Sequence, residues 1–280
     1  MWILLAVLSA LLLGIYDVAK KQALRKNGVL AVLLGATALT TVFLSPFLRP
    51  GPLNDHLQLV LKAVLVTASW VSGLAGLQRL PLTTASTIKG SRPVFVVLFS
   101  IILFGERLDW MQWAGVVLVI AALFLVRRTS RDDGSQQSRR AGFLWMGLSV
   151  LTGVASALYD KHIMAGMEPL FVQSWTNLYI TVLLVLCVLA QRLVSGTRFT
   201  MRWDWMLLLL AVIITASDAM YFYALKQPDA LLSIISVIRR ASVLVSFILG
   251  AIIFKEGGLR GKTLNMLLMA AGVILIVFGS

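Results

Sequence analysis

Acidic residues, cysteine, histidine and long polar stretches are all scarce in this chain of 280 residues. Its 12 Asp and Glu stand against 25 Lys and Arg, and charged residues make up only 13%. The single cysteine, Cys187, excludes a disulfide within the chain and leaves the redox compartment unread. The two histidines, His56 and His162, are far apart and have no cysteine or carboxylate cluster at ligand spacing, so neither a metal site nor a cofactor is expected. Arg127 to Arg140, the longest polar stretch, has 14 residues. It is too short to bury a core of its own, which excludes an aqueous domain. No G-x-x-x-x-G-K-[ST] loop is present, so ATP is not expected to drive the protein. Paired carboxylates and nucleophile–base constellations are missing too, which argues against an enzyme. The N-terminus, M-W-I-L-L-A-V-L, lacks the basic start of a cleaved signal peptide and reads as a first membrane helix.

What is present is apolar. Hydrophobic residues reach 59% and the mean hydropathy is +0.90, the composition of a polytopic helical membrane protein. A net charge of +13 would point to nucleic acid in a soluble protein. In a membrane protein, lysine and arginine flank the helices instead, so lipids rather than nucleic acid are the expected partners. Apolar runs predict ten helices over 2–21, 28–48, 58–77, 82–104, 110–127, 141–163, 169–191, 204–225, 229–254 and 261–279. Each is near the roughly 20 residues that cross a bilayer.

Short motifs recur between the halves. Tyr16-Asp17 returns as Tyr159-Asp160, and Thr67-Ala68-Ser69 as Thr215-Ala216-Ser217. Lys89 stands 150 positions before Arg239, as Glu106 does before Glu256. The expected organisation is a first five-helix repeat over 1–127, a linker over 128–140 and a second repeat over 141–280. Five is odd, so the repeats enter the membrane in opposite senses, with a site near the midplane. The expected fold class is therefore an all-α integral membrane protein of ten transmembrane helices in two inverted repeats. With both termini outside and the 127–140 loop cytoplasmic, sixteen basic residues flank the inner side. Only Arg49, Lys62, Arg107, Lys161 and Lys226 then flank the outer side, a strong positive-inside bias. A bacterial inner (plasma) membrane is the expected location.

Four cations lie inside apolar runs: Lys89 and Arg92 in the fourth, Arg239 and Arg240 in the ninth. Intramembrane charges normally face a bundle interior or a watery cavity and mark function. The four are expected to converge between helices 4 and 9 as an anion site. Pro93, directly after Arg92, is expected to kink helix 4 beside them. Asp218 and Tyr221 share a face of helix 8 and are candidates to balance the arginines. Asn177 is the amide well inside helix 7. Tyr16-Asp17 and Tyr159-Asp160 are candidate gates, one near each mouth, although Asp17 also has Lys20 and Lys21 at helical spacing. Asp160 has only sequence neighbours, which do not share its face. Glu106 and Glu256 close helices 4 and 9 and are read as caps or interface partners.

Two five-helix halves, and the run P-V-F-V-V-L-F-S-I-I-L-F-G-E from Pro93 to Glu106, resemble the drug/metabolite transporter superfamily. T-I-K at 87–89 and I-R-R at 238–240 are similar to the triose-phosphate and sugar-phosphate translocator branch, although Arg239 stands where that branch usually has lysine. That resemblance implies phosphate contact by Lys89, Arg239 and Arg240. The expected activity is secondary transport of an anionic, phosphate-bearing metabolite by alternating access, driven by exchange or by a proton or ion gradient. A flippase for a phospholipid or undecaprenyl-phosphate-linked headgroup would use the same cations. A general metabolite or drug exporter fits the superfamily.

Overall fold

The structure is a computed structural model, and it describes residues 1–24, 26–77, 79, 88, 91–125, 136–195, 200–242, 244–246, 248–249 and 260–278. Among these, ten α-helices and no strand are found. They are α1 (Trp2–Ala23), α2 (Val29–Leu44), α3 (Leu53–Leu77), α4 (Arg92–Phe104), α5 (Trp110–Leu125), α6 (Gln136–Met164), α7 (Pro169–Ser195), α8 (Trp205–Lys226), α9 (Leu232–Arg240) and α10 (Arg260–Phe278). Six of them, α1, α2, α3, α6, α7 and α8, are long and apolar enough to cross a membrane. Leu144, Ile102, Leu103 and other large apolar side chains project from the bundle. Lipid suits them, while the helices satisfy their own backbone groups. Lys89 and Glu256 lie outside the described residues.

Local chemistry sets several helix ends. The Asp204 carboxylate caps α8 by accepting from the Met206 N–H at 3.2 Å. Gln112 reaches back to the Asp109 N–H at 3.0 Å, a capping box at the start of α5. Gly105 closes α4 with φ +63°, a left-handed conformation that glycine adopts without a Cβ clash.

Some boundaries differ from expectation. Helix α3 begins at Leu53, just after Pro52, rather than at 58. Helix α6 begins at Gln136, so the end of the expected 128–140 linker is helical. Two expected helices are interrupted by turns. The described part of helix 4 starts at Arg92, after a turn at Ser91 whose N–H and hydroxyl both donate to the Ile88 carbonyl. Pro93 therefore sits in the first turn of α4, where its missing N–H has no partner to lose. Helix 9 ends at Arg240, with a turn at Ala241 whose N–H bonds back to Ile238. The expected unbroken helix over 229–254 is interrupted there. Ser91 and Ala241 are 150 positions apart, the spacing already seen between Lys89 and Arg239.

Packing pairs α3 with α6 and α1 with α8 most extensively, then α5 with α10, α2 with α7, and α4 with α9. Helix α3 also packs on α7 and α2 on α8; α1 packs on α9 and α4 on α6. Serines brace the two main crossings. Ser69 Oγ donates to the Ser149 carbonyl at 2.7 Å, and Ser149 Oγ returns a bond to the Ser69 carbonyl at 2.6 Å. Ser9 and Ser217 exchange the same two bonds, at 2.9 and 3.0 Å. A serine at a crossing lets two backbones approach closely and satisfies its own hydroxyl across the contact.

Candidate functional site

The charged centre is built from α3, α6, α8, α9 and the start of α4. Lys62 is nine residues into α3, about 14 Å along its axis. It is 4% exposed and forms a 2.5 Å ion pair with Asp160 of α6, also 4% exposed. The ammonium has two further acceptors on α6, Ser156 Oγ at 2.6 Å and the Ser156 carbonyl at 3.2 Å. Tyr221 of α8 donates its hydroxyl to the other Asp160 oxygen at 3.1 Å. The Arg239 guanidinium lies 4.2 Å from the centre of the Tyr221 ring, within cation–π range. It also bonds Asp218 at 2.7 Å. Lys62, Asp160, Tyr221, Arg239 and Asp218 thus form one continuous polar chain across four helices.

Arg92 joins this chain from the start of α4. Its guanidinium donates to the Gly153 carbonyl on α6 and lies in electrostatic reach of Tyr221, Asp160 and Arg239. No carboxylate stands at ion-pair distance from Arg92 among the described residues. A Cβ at Gly153 would meet the Arg92 Cζ and the Ser69 Oγ at 2.9 Å each, so a larger residue there would have to displace those side-chain ends. The Nε of Arg239 is buried without a hydrogen-bond partner among the described residues. At the α9 terminus, where unpaired carbonyls carry partial negative charge, Arg239 and Arg240 are favourably placed as cations.

A second group continues toward the other end of the bundle. Asp17 is in electrostatic reach of Lys20 and Arg240, and Tyr16 of Asp218 and Asp17. The Lys20 ammonium lies 5.6 Å from the Tyr16 ring centre.

Of the expected site residues, Arg92, Arg239, Asp218, Tyr221 and Asp160 meet directly or through one neighbour. Arg240 lies in electrostatic reach of Asp17, and Lys89 is outside the described residues. Asn177 donates to the Gln173 carbonyl one turn back on α7 at 3.0 Å, and no described contact ties it to the cluster. Tyr159 stacks on His162, ring centres 5.8 Å apart, and so turns away from the Asp160 pair. The two Tyr-Asp motifs are also out of step. They lie 143 positions apart, whereas the bracing Ser9 and Ser149 lie 140 apart. Three residues are almost one helical turn.

Lys62 is the residue that sequence reading placed wrongly, as an outer flanking charge. Its signal was visible: it is the one charge in the apolar run V-L-K-A-V-L-V-T, Val60 to Thr67. Ser156 and Gly153 gave no comparable signal. Glu106, expected to cap or pair, does both. It accepts from the N–H groups of Leu232 at 2.7 Å and Ser233 at 3.0 Å and from the Ser233 hydroxyl, and it pairs with Lys161 at 2.6 Å.

Residues 1–128 match the model of the EamA-like transporter family, of the drug/metabolite transporter superfamily. That family implies a membrane transporter of small solutes. A solved structure described as "Crystal structure of protein" is similar over 100% of this chain and 99% of its own, with a TM-score of 0.76 and 16% sequence identity. At that identity the likeness is one of fold.

Proposed function

We propose that this protein is a secondary transporter that carries a small, anionic, phosphate-bearing solute by alternating access. The charge balance of the centre is the observation that carries this reading. Among the described residues, Lys62, Arg92 and Arg239 stand against Asp160 and Asp218, which leaves one positive charge in excess. Excess positive charge inside a membrane bundle is costly until an anion enters. Arginine adds a planar fork suited to phosphate oxygens. Among the described residues, Arg92 has a carbonyl as its hydrogen-bond partner and Arg239 has an unfilled Nε, and these two are the first contacts.

Alternating access is supported by the pairing of the helices. Exchanging α1–α5 for α6–α10 turns the α3·α6 contact into α8·α1, α2·α8 into α7·α3, and α1·α9 into α6·α4, and each of these contacts exists. The turns at Ser91 and Ala241 interrupt helices 4 and 9 at equivalent places beside the cations, as in transporters whose broken helices bind solute at the midplane. Asp17 and Asp160 compete with the solute for the same cations, one at each side of the centre. An inner-membrane location with both termini outside fits the loop charges. Moving Lys62 into the bundle removes one positive charge from the outer count and strengthens that bias.

The test is binding to purified protein of phosphorylated and unphosphorylated forms of the same small alcohols and sugars. Binding confined to phosphorylated members supports the reading, and equal binding of both forms rejects it.

A further inference from the structure

Lys62 and Asp160 are the most enclosed ion pair among the described residues, and each neutralises the other rather than an incoming anion. As a structural tie between α3 and α6 the pair is a poor choice, because two apolar side chains would join those helices without desolvating charge. Its surroundings suit a pair that changes state. When Asp160 loses its charge, Lys62 keeps two oxygen partners, both from Ser156. Tyr221 bonds the other carboxyl oxygen and lies against Arg239, so the charge on Asp160 is felt at a cation that faces the solute. The groups around Asp160 are Lys62 from α3, Arg92 from α4, Tyr221 and Asp218 from α8 and Arg239 from α9. On α6 itself, Lys161 is held by Glu106, and Tyr159 and His162 stack on each other.

We infer that Asp160 is the proton-binding residue of this transporter, that Lys62 is its resting counter-ion, and that one proton travels with each anion. The inference rests on the anion reading above and adds its driving force. The proton comes from water at one mouth, forms an O–H bond with an Asp160 carboxylate oxygen, and returns to water at the other. No other bond forms or breaks. A neutral Asp160 no longer balances Lys62, so the excess around Lys62, Arg92 and Arg239 rises from one positive charge to two. That matches a phosphate monoester, which carries a charge of about −1.5 to −2 at pH 7. Proton and anion each favour binding of the other, and the linkage is reciprocal.

The experiment uses sulfate, whose charge is constant across neutral pH, with the purified full-length chain. Sulfate affinity should rise by up to ~10-fold for each unit that the pH falls through the titration of Asp160, with protons taken up from a weakly buffered solution. Asp160→Asn should bind sulfate with no pH dependence. If that variant does not fold, Lys62→Gln/Asp160→Asn, which removes the pair together, should show the same flat profile. Affinity of the wild type that does not change with pH, or a double variant that keeps the wild-type profile, overturns the inference. Infrared spectroscopy supplies a readout that needs no anion: the carbonyl stretch of a protonated buried carboxyl group should appear on acidification and vanish in the Asp160 variants. If neither sulfate nor phosphate binds at any pH, the anion reading falls, and this band alone decides the proton site. Loss of the band in the variants supports the site, and its persistence overturns it.

Discussion

Arg239 makes two different kinds of contact with one guanidinium, an ion pair to Asp218 and a stack on Tyr221, and its Nε has no partner among the described residues. Lysine keeps only the charge. Arg239→Lys should therefore lose most anion affinity, and Arg239→Ala more. A lost charge-assisted bond is worth about 1.5–3 kcal/mol, on the order of 10- to 100-fold in the dissociation constant measured by titration calorimetry. Gly153 gives a sharper test, because it touches no solute. A Cβ at that position lies 2.9 Å from the Arg92 Cζ. Gly153→Ala should cost about 1–3 kcal/mol of stability by overpacking and weaken anion binding by displacing Arg92. Unchanged melting and binding would show that Arg92 does not depend on that carbonyl. The intramembrane arginines were legible in the sequence, because nothing else explains a cation in a run such as I-R-R-A-S-V-L-V. Their acidic partners were less so. Asp160 looked unaccompanied because its partner, Lys62, comes from a helix about 100 positions earlier. Spacing along one helix carries no information about that.

At the scale of elements, α9 is only nine residues long and carries both arginines at its end, so what fixes its start also fixes the site. Glu106 holds that start by accepting two backbone N–H groups and one hydroxyl, while Lys161 neutralises it. Glu106→Ala should cost more than the ~1 kcal/mol of an ordinary helix cap, because it also removes the charge partner of Lys161, which keeps only neutral contacts such as the Ala230 carbonyl among the described residues. Thermal unfolding in detergent measures the loss, and reduced anion binding should accompany it. Asp204 plays a similar part for α8 at the membrane edge. The Met206 N–H, and Lys26 at 3.1 Å, hold its carboxyl below the usual carboxylate range. A carboxyl with a depressed folded value stabilises the protein above its unfolded pKa, near 3.9, and that contribution disappears as the pH falls through the folded value. Wild type should therefore lose its advantage over Asp204→Asn below about pH 4 and keep it at neutral pH. A constant difference across that range would remove Asp204 from the cap. The helix ends show what sequence reveals of elements. The end of α4 at Gly105 matches the boundary read from the sequence, because glycine allows the positive φ, whereas the start of α3 just after Pro52 was read five residues late. The turn at Ala241 left no such mark, since I-R-R-A-S is locally compatible with helix and only the surrounding packing interrupts it.

For the whole molecule, the all-helical membrane bundle was legible in the sequence, and the observed packing adds spacings that bear on the proposed repeat. The Ser91 and Ala241 turns keep the 150-residue spacing read from the sequence. The serine braces instead relate α1 to α6 at 140, three residues away from the Tyr-Asp match. Ser69 and Ser217 close the two Thr-Ala-Ser motifs read from the sequence, whereas their partners Ser149 and Ser9 stood in no recognised motif. The braces also sit at the two most extensive helix contacts among the described residues. In the proposed mechanism, rocking of one half against the other preserves or slides those contacts, with the charged centre as the fixed point. The central claim is that the cations at this point hold the solute anion. Counterflow into proteoliposomes tests it most directly: labelled phosphate ester outside, unlabelled ester inside, with wild type and Arg239→Ala compared at equal protein. The account predicts accumulation in wild type that competing phosphate ester abolishes and the parent alcohol does not, and no accumulation in Arg239→Ala. Equal accumulation in both proteins, or competition by the uncharged alcohol as strong as by its phosphate, would contradict it.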